Sequence, residues 1–325
     1  MQKMPPKIGV WASSMHKIEP AVDEFFITWL VSLKCNYDCS YCGPDSHDVN
    51  GVVHSSDHYI KEFNALYEII KDRSNIHINI TGGEPTQISN LVDLCKHIKT
   101  VDPSIVINVN TNGSKGVDYF FELIRWIDAL DVSLHFEYVK LQAFLKKMGK
   151  LHQKIKSRLT IYVMAEENYY EQCNRTLEIL DKFNFNFILS SIIPRKYSID
   201  YSEEYLDLFK KYPSESALDV IVDGKVTSSL EVKNSLITNW YKHDPWKKNY
   251  FTDWRCWVTS QNLSLSNGTL LGGMCAIKNY GSVFDKPTLI ESVTCRNGLL
   301  DTPSTYTFRG RCMCNADLRA RKERL

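Results

Sequence analysis

Three cysteines occupy one short stretch of this chain, KCNYDCSYCGPDSHD at residues 34–48. Cys35, Cys39 and Cys42 follow one another at spacings of four and three residues. Thiolates are common ligands of zinc and of iron–sulfur clusters, and both kinds of site normally take four protein ligands. Three thiols without a fourth nearby therefore predict a metal site that leaves one position for another molecule. The alternatives are a zinc site completed by a distant ligand such as His47, and three unrelated core thiols.

Short apolar runs alternate with longer stretches of helical period over residues 25–195. The runs predict strands at 25–33, 76–81, 105–110, 131–136, 159–165 and 185–193. The stretches between them predict helices at 57–73, 88–101, 116–130, 140–156 and 169–183. This alternation is typical of a parallel sheet with right-handed crossovers, either doubly wound or curved toward a barrel.

Unusual residues end the first four predicted strands. The cysteine stretch follows the first strand, GGEP at 82–85 follows the second, TNG at 111–113 follows the third, and HFE at 135–137 closes the fourth. Parallel strands bring their carboxyl ends to one edge of a sheet, where α/β folds place their working groups. The four endings therefore predict one site, although GGEP and TNG could also be ordinary turns.

The stretch CNYDCSYC resembles the CxxxCxxC signature of the radical S-adenosylmethionine (SAM) superfamily, in which an aromatic residue usually precedes the third cysteine. The segments TGGEP, NVNTNG and SLHFE resemble the endings of that family's second, third and fourth strands. The resemblance covers roughly residues 25–195. It implies an α/β fold, a partial (β/α)6 TIM-like barrel.

The resemblance also implies a cofactor pair and a reaction. A 4Fe–4S cluster would use three thiolates and leave its fourth iron to bind SAM through the amino and carboxylate groups. One electron from the reduced cluster would break a sulfonium C–S bond, and the 5′-deoxyadenosyl radical would take a hydrogen atom from the substrate. The protein must hold such a radical beside its target and away from water. A flavodoxin or a ferredoxin is the expected electron donor.

The positions that match the family's motifs would carry its roles. Cys35, Cys39 and Cys42 would bind the SAM cluster, and Glu84 would accept a hydrogen bond from the SAM ammonium. The two glycines of GGEP would let the backbone approach the methionine moiety. Including those glycines, the other expected SAM-binding residues are Tyr41, Gly82, Gly83, Asn110, Asn112, Ser133, Val163 and Met164.

Charged residues at the ends of strands four and five are candidates for substrate binding or proton transfer. They are His135, Glu137 and Glu166, although most charged residues at strand ends are simply solvated. Cys95 and Cys173 lie on predicted amphipathic helices, where a thiol usually belongs to the core.

The second half of the chain contains five more cysteines, Cys256, Cys275, Cys295, Cys312 and Cys314. The Asn267–Gly268 pair between alternating runs predicts a β-hairpin that would bring Cys256 and Cys275 together. This region resembles the twitch or SPASM-type extension of radical SAM enzymes, which holds an auxiliary 4Fe–4S cluster. Four of the five cysteines would be ligands, with Cys295 the rival of Cys256, although the tail has CxC where CxxC is more usual. A zinc site and thiols without a metal are the alternatives.

The predicted organisation is therefore a partial barrel with a small C-terminal cysteine-rich β-hairpin extension. Its parts are an N-terminal extension at 1–24, the radical SAM barrel at 25–195, a connector at 196–238 and an auxiliary-cluster subdomain at 239–325.

The composition and charge of the chain limit the classes of partner and the compartment that we expect. The 325 residues are 43% hydrophobic and 24% charged, which is ordinary for a folded protein with a large core. The formal net charge of +1 argues against nucleic acid as a partner. The longest apolar run is shorter than the roughly 20 residues that span a bilayer. No signal-peptide pattern opens the chain, so we expect a cytoplasmic protein whose ten cysteines stay reduced.

Three functions fit these features. The first is a two-cluster radical SAM enzyme whose second cluster aids oxidation or substrate binding, acting on a peptide, a sugar or a nucleotide. The second is a single-cluster enzyme with a structural zinc subdomain that catalyses redox-neutral chemistry, as mutases and epimerases do. The third is a non-catalytic SAM or iron–sulfur sensor.

Overall fold

The computed structural model describes residues 15–42, 48–192, 201–212, 219–228, 254–273, 275–294 and 320–325. The strands in this part of the chain are β1 (Lys17–Pro20), β2 (Phe25–Ser32), β3 (Ile76–Gly82), β4 (Val106–Thr111), β5 (Ala129–Leu134), β6 (Leu159–Ala165), β7 (Asn186–Ser191), β8 (Asp219–Val222), β9 (Lys225–Ser228), β10 (Trp254–Cys256), β11 (Asn262–Ser266), β12 (Thr269–Gly272), β13 (Lys278–Ser282), β14 (Val293–Thr294) and β15 (Lys322–Arg324).

The helices in the same ranges are α1 (Ser56–Ile70), α2 (Leu91–Val101), α3 (Val117–Leu123), α4 (Leu141–Ile155), α5 (Tyr170–Lys182), α6 (Glu203–Lys211) and α7 (Val258–Gln261). Short 3₁₀ turns lie at Pro85–Gln87, Lys156–Arg158, Glu167–Tyr169 and Val283–Asp285. None of the helices in the described ranges is both long and apolar enough to cross a membrane.

The predicted alternation of strands and helices is confirmed from β2 to β7. These strands are all parallel and pair in chain order. The predicted helix at 116–130 is too long, because α3 ends at Leu123 and β5 begins at Ala129. The reason is Asp128, whose backbone N–H donates to Ile107 O and whose carboxylate accepts from Ile107 N–H, both at 2.8 Å. These bonds attach the chain to β4 earlier than its helical pattern suggests.

The fold is mixed α/β, and its large sheet is open. Within the described residues the strand order is β13-β12-β11-β2-β3-β4-β5-β6-β7, so β13 and β7 are the edges and no closed barrel forms. This arrangement is consistent with the partial barrel that the resemblance implies. Strands β3 to β6 alternate buried and half-buried residues, and the buried face packs on the helices. The other face is available to line a site.

The strand pair around Asn267–Gly268 continues this large sheet. β11 and β12 pair antiparallel, with Ser266 opposite Thr269. β11 also pairs parallel with β2, Asn262 being opposite Phe26. This hairpin is predicted in a separate subdomain at 239–325, and its bonds to β2, the first strand of the parallel series, are not part of that prediction.

A second sheet has the order β14-β10-β15-β1-β8-β9 within the described residues. β1 pairs antiparallel with both β15 and β8, and so joins remote parts of the chain. This sheet covers a small separate core made of Met15, Ile18, Val220, Val222, Trp254, Cys256, Val258 and Ala320. The predicted N-terminal extension therefore contributes a central strand.

The main core lies between the sheet and its helices. In α2, Leu91, Leu94, Cys95 and Ile98 are the buried residues and form one stripe along the helix. Cys95 and Cys173 are fully buried in this core, as the sequence predicts.

Candidate active site

The three closely spaced cysteines lie on a loop at the carboxyl edge of the large sheet. This cysteine loop, residues 33–42, follows β2 and lies beside the turn that follows β3. The Gly83 N–H donates to Ser32 O at 2.8 Å, and the Glu84 N–H donates to Lys34 O at 2.8 Å. Two backbone bonds therefore fix the GGEP turn against the start of the cysteine loop.

Glycine is required in that turn because of the close backbone approach. Gly82 has a positive φ of 143°, and a Cβ there would lie 2.2 Å from Ser32 O. A Cβ at Gly83 would lie 2.2 Å from Leu33 O. From the family resemblance, these glycines are expected to make room for the methionine part of SAM. The atoms that a side chain would meet in the structure belong to Ser32, at the end of β2, and to Leu33 and Lys34 of the cysteine loop.

The loop presents free thiols. Cys39 is buried, while Cys35 and Cys42 are half-buried, and none of the three forms a disulfide. The Cys35 sulfur accepts from the Tyr37 N–H at 3.4 Å and from Asn112 Nδ2 at 3.9 Å. Burial raises the pKa of Cys35 and raises that of Cys39 to about 12. Both thiols therefore stay protonated at neutral pH unless a bound cation stabilises the thiolate.

The donor set of the cysteine loop is three thiols, the ligand type that an iron–sulfur cluster takes. Among the described residues, no three histidine, cysteine, aspartate or glutamate side chains converge as ligands of one metal ion. An iron–sulfur cubane takes its thiolates on different iron atoms, so its ligands need not converge on one point. The loop therefore fits the cluster implied by its cysteine spacing.

Glu84 is a fully buried carboxylate beside this loop. Its Oε1 accepts from the Thr86 N–H at 2.9 Å and from Thr111 Oγ1 at 2.7 Å. Its Oε2 accepts from the Asn112 N–H at 2.6 Å. No lysine, arginine or histidine in the described ranges forms an ion pair with it. A carboxylate has about four acceptor positions, so one remains for a further donor.

A second group of side chains, the half-buried Tyr41 and His135 and the buried Glu166, supports the other end of the loop. The Tyr41 hydroxyl lies 2.5 Å from His135 Nδ1 and donates to Glu166 Oε1 at 3.3 Å. His135 Nδ1 also lies 3.6 Å from the Cys39 sulfur. Burial lowers the pKa of His135 to about 4, so its ring is neutral at pH 7. Burial raises the pKa of Glu166 to about 7, and its Oε1 accepts from the Phe136 N–H at 2.7 Å.

Glu137 also contacts the cysteine loop. Its carboxylate accepts from the Ser40 N–H at 2.8 Å and from the Ser40 hydroxyl. The three candidates for substrate chemistry, His135, Glu137 and Glu166, are thus all close to Cys39, Ser40 or Tyr41 in the structure. Their hydrogen bonds hold the loop.

The half-buried face of the sheet carries further polar residues that the sequence analysis overlooks. Asn108 Nδ2 donates to Asn79 Oδ1 at 3.0 Å, to Asp131 Oδ2 at 2.7 Å and to Asn110 Oδ1 at 3.3 Å. Burial raises the pKa of Asp131. The alternating polar residues at 77, 79 and 81 of β3, 108 and 110 of β4, and 131 and 133 of β5 are the signal that could have identified this face.

The expected SAM-binding residues do not all share that face. Ser133 is opposite Tyr162 on the neighbouring strand and is half-buried, as Met164 is. Val163 is fully buried and packs in the main core. Successive strand residues point to opposite faces, so Met164 is on the polar face and Val163 is not.

The auxiliary-cluster cysteines are described only in part. Cys256 is buried in β10, and Cys275 packs against the same small core. Cys295, Cys312 and Cys314 lie outside the described residues, and so does His47. The auxiliary cluster therefore stays a prediction.

Comparison with known proteins identifies the domain around the cysteine loop. Residues 29–159 match the family model described as the Radical SAM superfamily. The matched range includes the cysteine loop, the GGEP turn and the polar face of the sheet. The chain contains a radical SAM domain, and the resemblance drawn from its cysteine spacing is confirmed.

The curated relatives of this chain include two bacterial enzymes named GTP 3′,8-cyclase. The one from Vibrio parahaemolyticus serotype O3:K6 (strain RIMD 2210633) is 27% identical over 89 residues, which are 27% of this chain and 27% of the relative. The one from Vibrio vulnificus (strain YJ016) is 26% identical over the same length and the same shares. The alignment thus spans only about a quarter of each relative.

Two solved structures align with a larger share of this chain than the curated relatives do. The structure of anSMEcpe with bound AdoMet aligns with a TM-score of 0.52 at 14% identity, covering 81% of this chain and 78% of that one. Streptococcus suis SuiB bound to S-adenosylmethionine aligns with a TM-score of 0.51 at 15% identity, covering 80% of this chain and 61% of that one. At these identities the likeness concerns the fold alone.

Proposed function

We propose that this protein is a radical SAM enzyme that cleaves SAM reductively and abstracts a hydrogen atom from a substrate. The observation that carries this proposal is the loop of three free thiols, tied by backbone bonds to the GGEP turn within a radical SAM domain. When bound, a reduced 4Fe–4S cluster with SAM supplies a 5′-deoxyadenosyl radical. The chain's own residues bind these groups, orient them and exclude water.

Each part of the site has a task in this proposal. Cys35, Cys39 and Cys42 hold the cluster and leave one iron without a protein ligand. Glu84 accepts from the SAM ammonium at its remaining position, which gives this buried carboxylate the cation that it lacks among the described residues. Asn112, buried beside Cys35, offers its side-chain amide to the SAM carboxylate.

Tyr41, His135 and Glu166 position the loop between the second and third cysteines. Their mutual contacts cover Cys39, which is buried, and keep water from one side of the cluster. Burial and hydrogen bonds near a cluster sulfur also set the reduction potential. We assign these three side chains to positioning and tuning.

We further propose that the C-terminal cysteines hold a second 4Fe–4S cluster. Cys256 and Cys275 share one small core, which supports the prediction that the C-terminal thiols form a common site. A second cluster would accept an electron from the substrate radical or bind the substrate, and the enzyme would act as an oxidoreductase. A zinc ion in the same place would favour redox-neutral chemistry.

Metal analysis after anaerobic reconstitution tests the two versions. We expect about eight irons and eight sulfides per chain, falling to about four in a variant in which Cys35, Cys39 and Cys42 are alanine. The matched control is the variant Cys95→Ala, Cys173→Ala, which removes two core thiols and should keep all eight irons. About four irons in the wild type, none in the triple variant and zinc retained in both would contradict the second cluster.

The substrate is proposed only by class. The relatives named GTP 3′,8-cyclase point to a nucleotide, and SuiB bound to precursor peptide SuiA points to a peptide. The polar face around Asn79, Asn108 and Asp131 suits a substrate rich in hydroxyl or amide groups, as peptides, sugars and nucleotides are. Formation of 5′-deoxyadenosine during turnover distinguishes an enzyme from the sensor, for which we expect none with any candidate substrate.

A further inference from the structure

One segment next to the cysteine loop is strongly basic. Residues 140–158 contain six lysines, one arginine and no aspartate or glutamate, although the whole chain has a formal net charge of only +1. Most of the segment is α4, which buries Phe144, Met148, Leu151 and Ile155 against the core. The other faces of this helix present Lys146, Lys150 and Lys154 to solvent.

Three of these lysines form a row. Lys146, Lys150 and Lys154 are spaced four residues apart, are exposed, and make no ion pair within the described residues. At 1.5 Å rise per residue the row extends for about 12 Å. A row of this length suits the surface of a macromolecule better than a single small anion.

The row leads into a cavity of about 340 Å³. Lys140, Lys146 and Lys150 line the cavity together with Tyr37 and Tyr138, and no carboxylate lines it. Lys147 also lines it, but its ammonium donates to Lys115 O at 2.9 Å and to Gly113 O. The other lysines remain available to an acidic partner.

Aromatic rings connect this cavity to the cysteine loop. Tyr138 is 42% exposed, and its ring stacks on Tyr37 with centroids 4.7 Å apart and planes 11° apart. The Tyr37 ring is 6.0 Å from the His135 ring. His135 in turn lies 3.6 Å from the Cys39 sulfur. The rings therefore form an unbroken series of contacts from the basic surface to an expected cluster ligand.

We propose that the lysine row of α4 and the exposed edge of Tyr138 form the docking surface for an acidic one-electron carrier protein. This inference rests on the proposed function, which requires an electron at the SAM cluster. The carrier gives up one electron, the cluster gains that electron, and no bond forms or breaks in the transfer. Opposite charge attracts the carrier, and the ring contacts place it near the cluster.

The test measures how fast reduced flavodoxin reduces the reconstituted full-length protein by stopped flow. The variant Lys146→Glu, Lys150→Glu, Lys154→Glu should lower the second-order rate constant at least about tenfold at low ionic strength, with a weaker dependence on salt. The matched control reverses three exposed lysines elsewhere, Lys61, Lys182 and Lys225, and should stay within about twofold of the wild type. Equal rates in the two triple variants would overturn the inference.

Further measurements separate the other outcomes. Excess dithionite should bring wild type and both variants to the same reduced spectrum, which shows that each holds an intact cluster. Replacing the same three lysines with glutamine keeps the test valid if the glutamate variant does not fold. A wild type without an iron–sulfur spectrum would refute the proposed function, and the inference with it. Loss of RNA binding in the lysine variants, with an unchanged flavodoxin rate, would instead assign the row to nucleic acid.

A separate measurement tests the role of Tyr138 in electron transfer. At saturating flavodoxin, Tyr138→Ala should lower the limiting rate of cluster reduction, because the ring contact with Tyr37 is lost. Tyr138→Phe keeps the stacked ring and should restore that rate. A limiting rate that is equal in all three proteins would remove Tyr138 from the docking surface.

Discussion

At the scale of single residues, Glu84 is the side chain on which the cofactor site depends most. It is fully buried, accepts three hydrogen bonds from the protein, and has no cationic partner among the described residues. Its donors come from the GGEP turn and from the end of β4. One carboxylate thus joins two strand endings and keeps one acceptor position, which we propose accepts from the SAM ammonium.

Replacing Glu84 with glutamine tests this double role. An amide N–H₂ cannot accept, so at least one of the three donors loses its partner, at a cost of about 3 kcal/mol in the free energy of unfolding. SAM binding should weaken as well, because the negative charge is lost. Urea unfolding and SAM titration of the reconstituted protein measure the two effects.

The matched control is Glu122→Gln, which neutralises an exposed carboxylate paired with Arg125 at 2.9 Å. Its effect on unfolding should stay below about 1 kcal/mol. If Glu84→Gln were no more harmful than this control in either measurement, the role assigned to Glu84 would be wrong.

At the scale of elements, α1 places Glu62 beside the Asn267–Gly268 hairpin, where a Cβ at Gly268 would lie 3.5 Å from Glu62 Oε1. This carboxyl is buried, and burial raises its pKa to about 7, against an opposing effect of the Gly268 N–H and the Trp29 side chain. His58 Nε2 lies 3.3 Å from Glu62 Oε1, and the His54 ring stacks near His58. A titratable group therefore lies between helix α1 and the strands β11 and β12, which extend the large sheet.

The raised pKa of Glu62 predicts how stability changes with pH. Between pH 4.5 and 7 the folded protein holds a proton on Glu62 that the unfolded chain has released, so the free energy of unfolding falls as the pH rises. Glu62→Gln removes this titration. Urea unfolding should show little difference from the wild type near pH 4.5, and a variant more stable by about 3 kcal/mol at pH 8.

Glu68→Gln on the same helix serves as the control for that experiment. Glu68 is exposed, and Lys71 lowers the pKa of its carboxyl group. Its replacement should therefore leave the change of the free energy of unfolding with pH, above pH 5, as it is in the wild type. A parallel stability profile for Glu62→Gln and the wild type would show that Glu62 is not buried as described.

The elements that sequence reasoning recovers are those whose signal is local. Apolar, β-branched runs predict the strands β2 to β7, and the spacing of its three cysteines predicts the cysteine loop. The same alternation would have separated Met164 from Val163 and pointed to Asn108. Contacts between distant segments are different, because no local pattern shows that Ser40 binds Glu137 or that the GGEP turn packs on the cysteine loop.

At the scale of the whole molecule, the second sheet likewise could not be predicted from local sequence patterns. Its strands are two to four residues long, too short for a periodic signal. These strands come from parts of the chain that are far apart in sequence. For example, the His16 N–H donates to Asp223 Oδ1 at 3.0 Å, and the two residues are 207 positions apart. The cost of closing such long loops is offset only when several strands assemble together. This sheet also contains Cys256, so its integrity bears on the predicted auxiliary site.

Deleting residues 320–325 tests the cooperation within that sheet. β15 lies between β10 and β1, so its loss leaves both neighbours without a partner on one side. We expect amide hydrogen exchange in β1 and β10 to become at least about tenfold faster, while β3 to β6 keep their protection. Removal of the exposed Leu325 alone is the control and should change neither. Unchanged exchange in β1 would show that β15 does not support the sheet.

Reductive cleavage of SAM by the reconstituted full-length protein tests the central claim most directly. We would measure 5′-deoxyadenosine formed under dithionite in the wild type, in Cys39→Ala and in the control Cys95→Ala, whose thiol lies in the main core. The account predicts product from the wild type and from Cys95→Ala, and none above background from Cys39→Ala. Full cleavage by Cys39→Ala would contradict the assignment of the cysteine loop to a SAM-binding cluster.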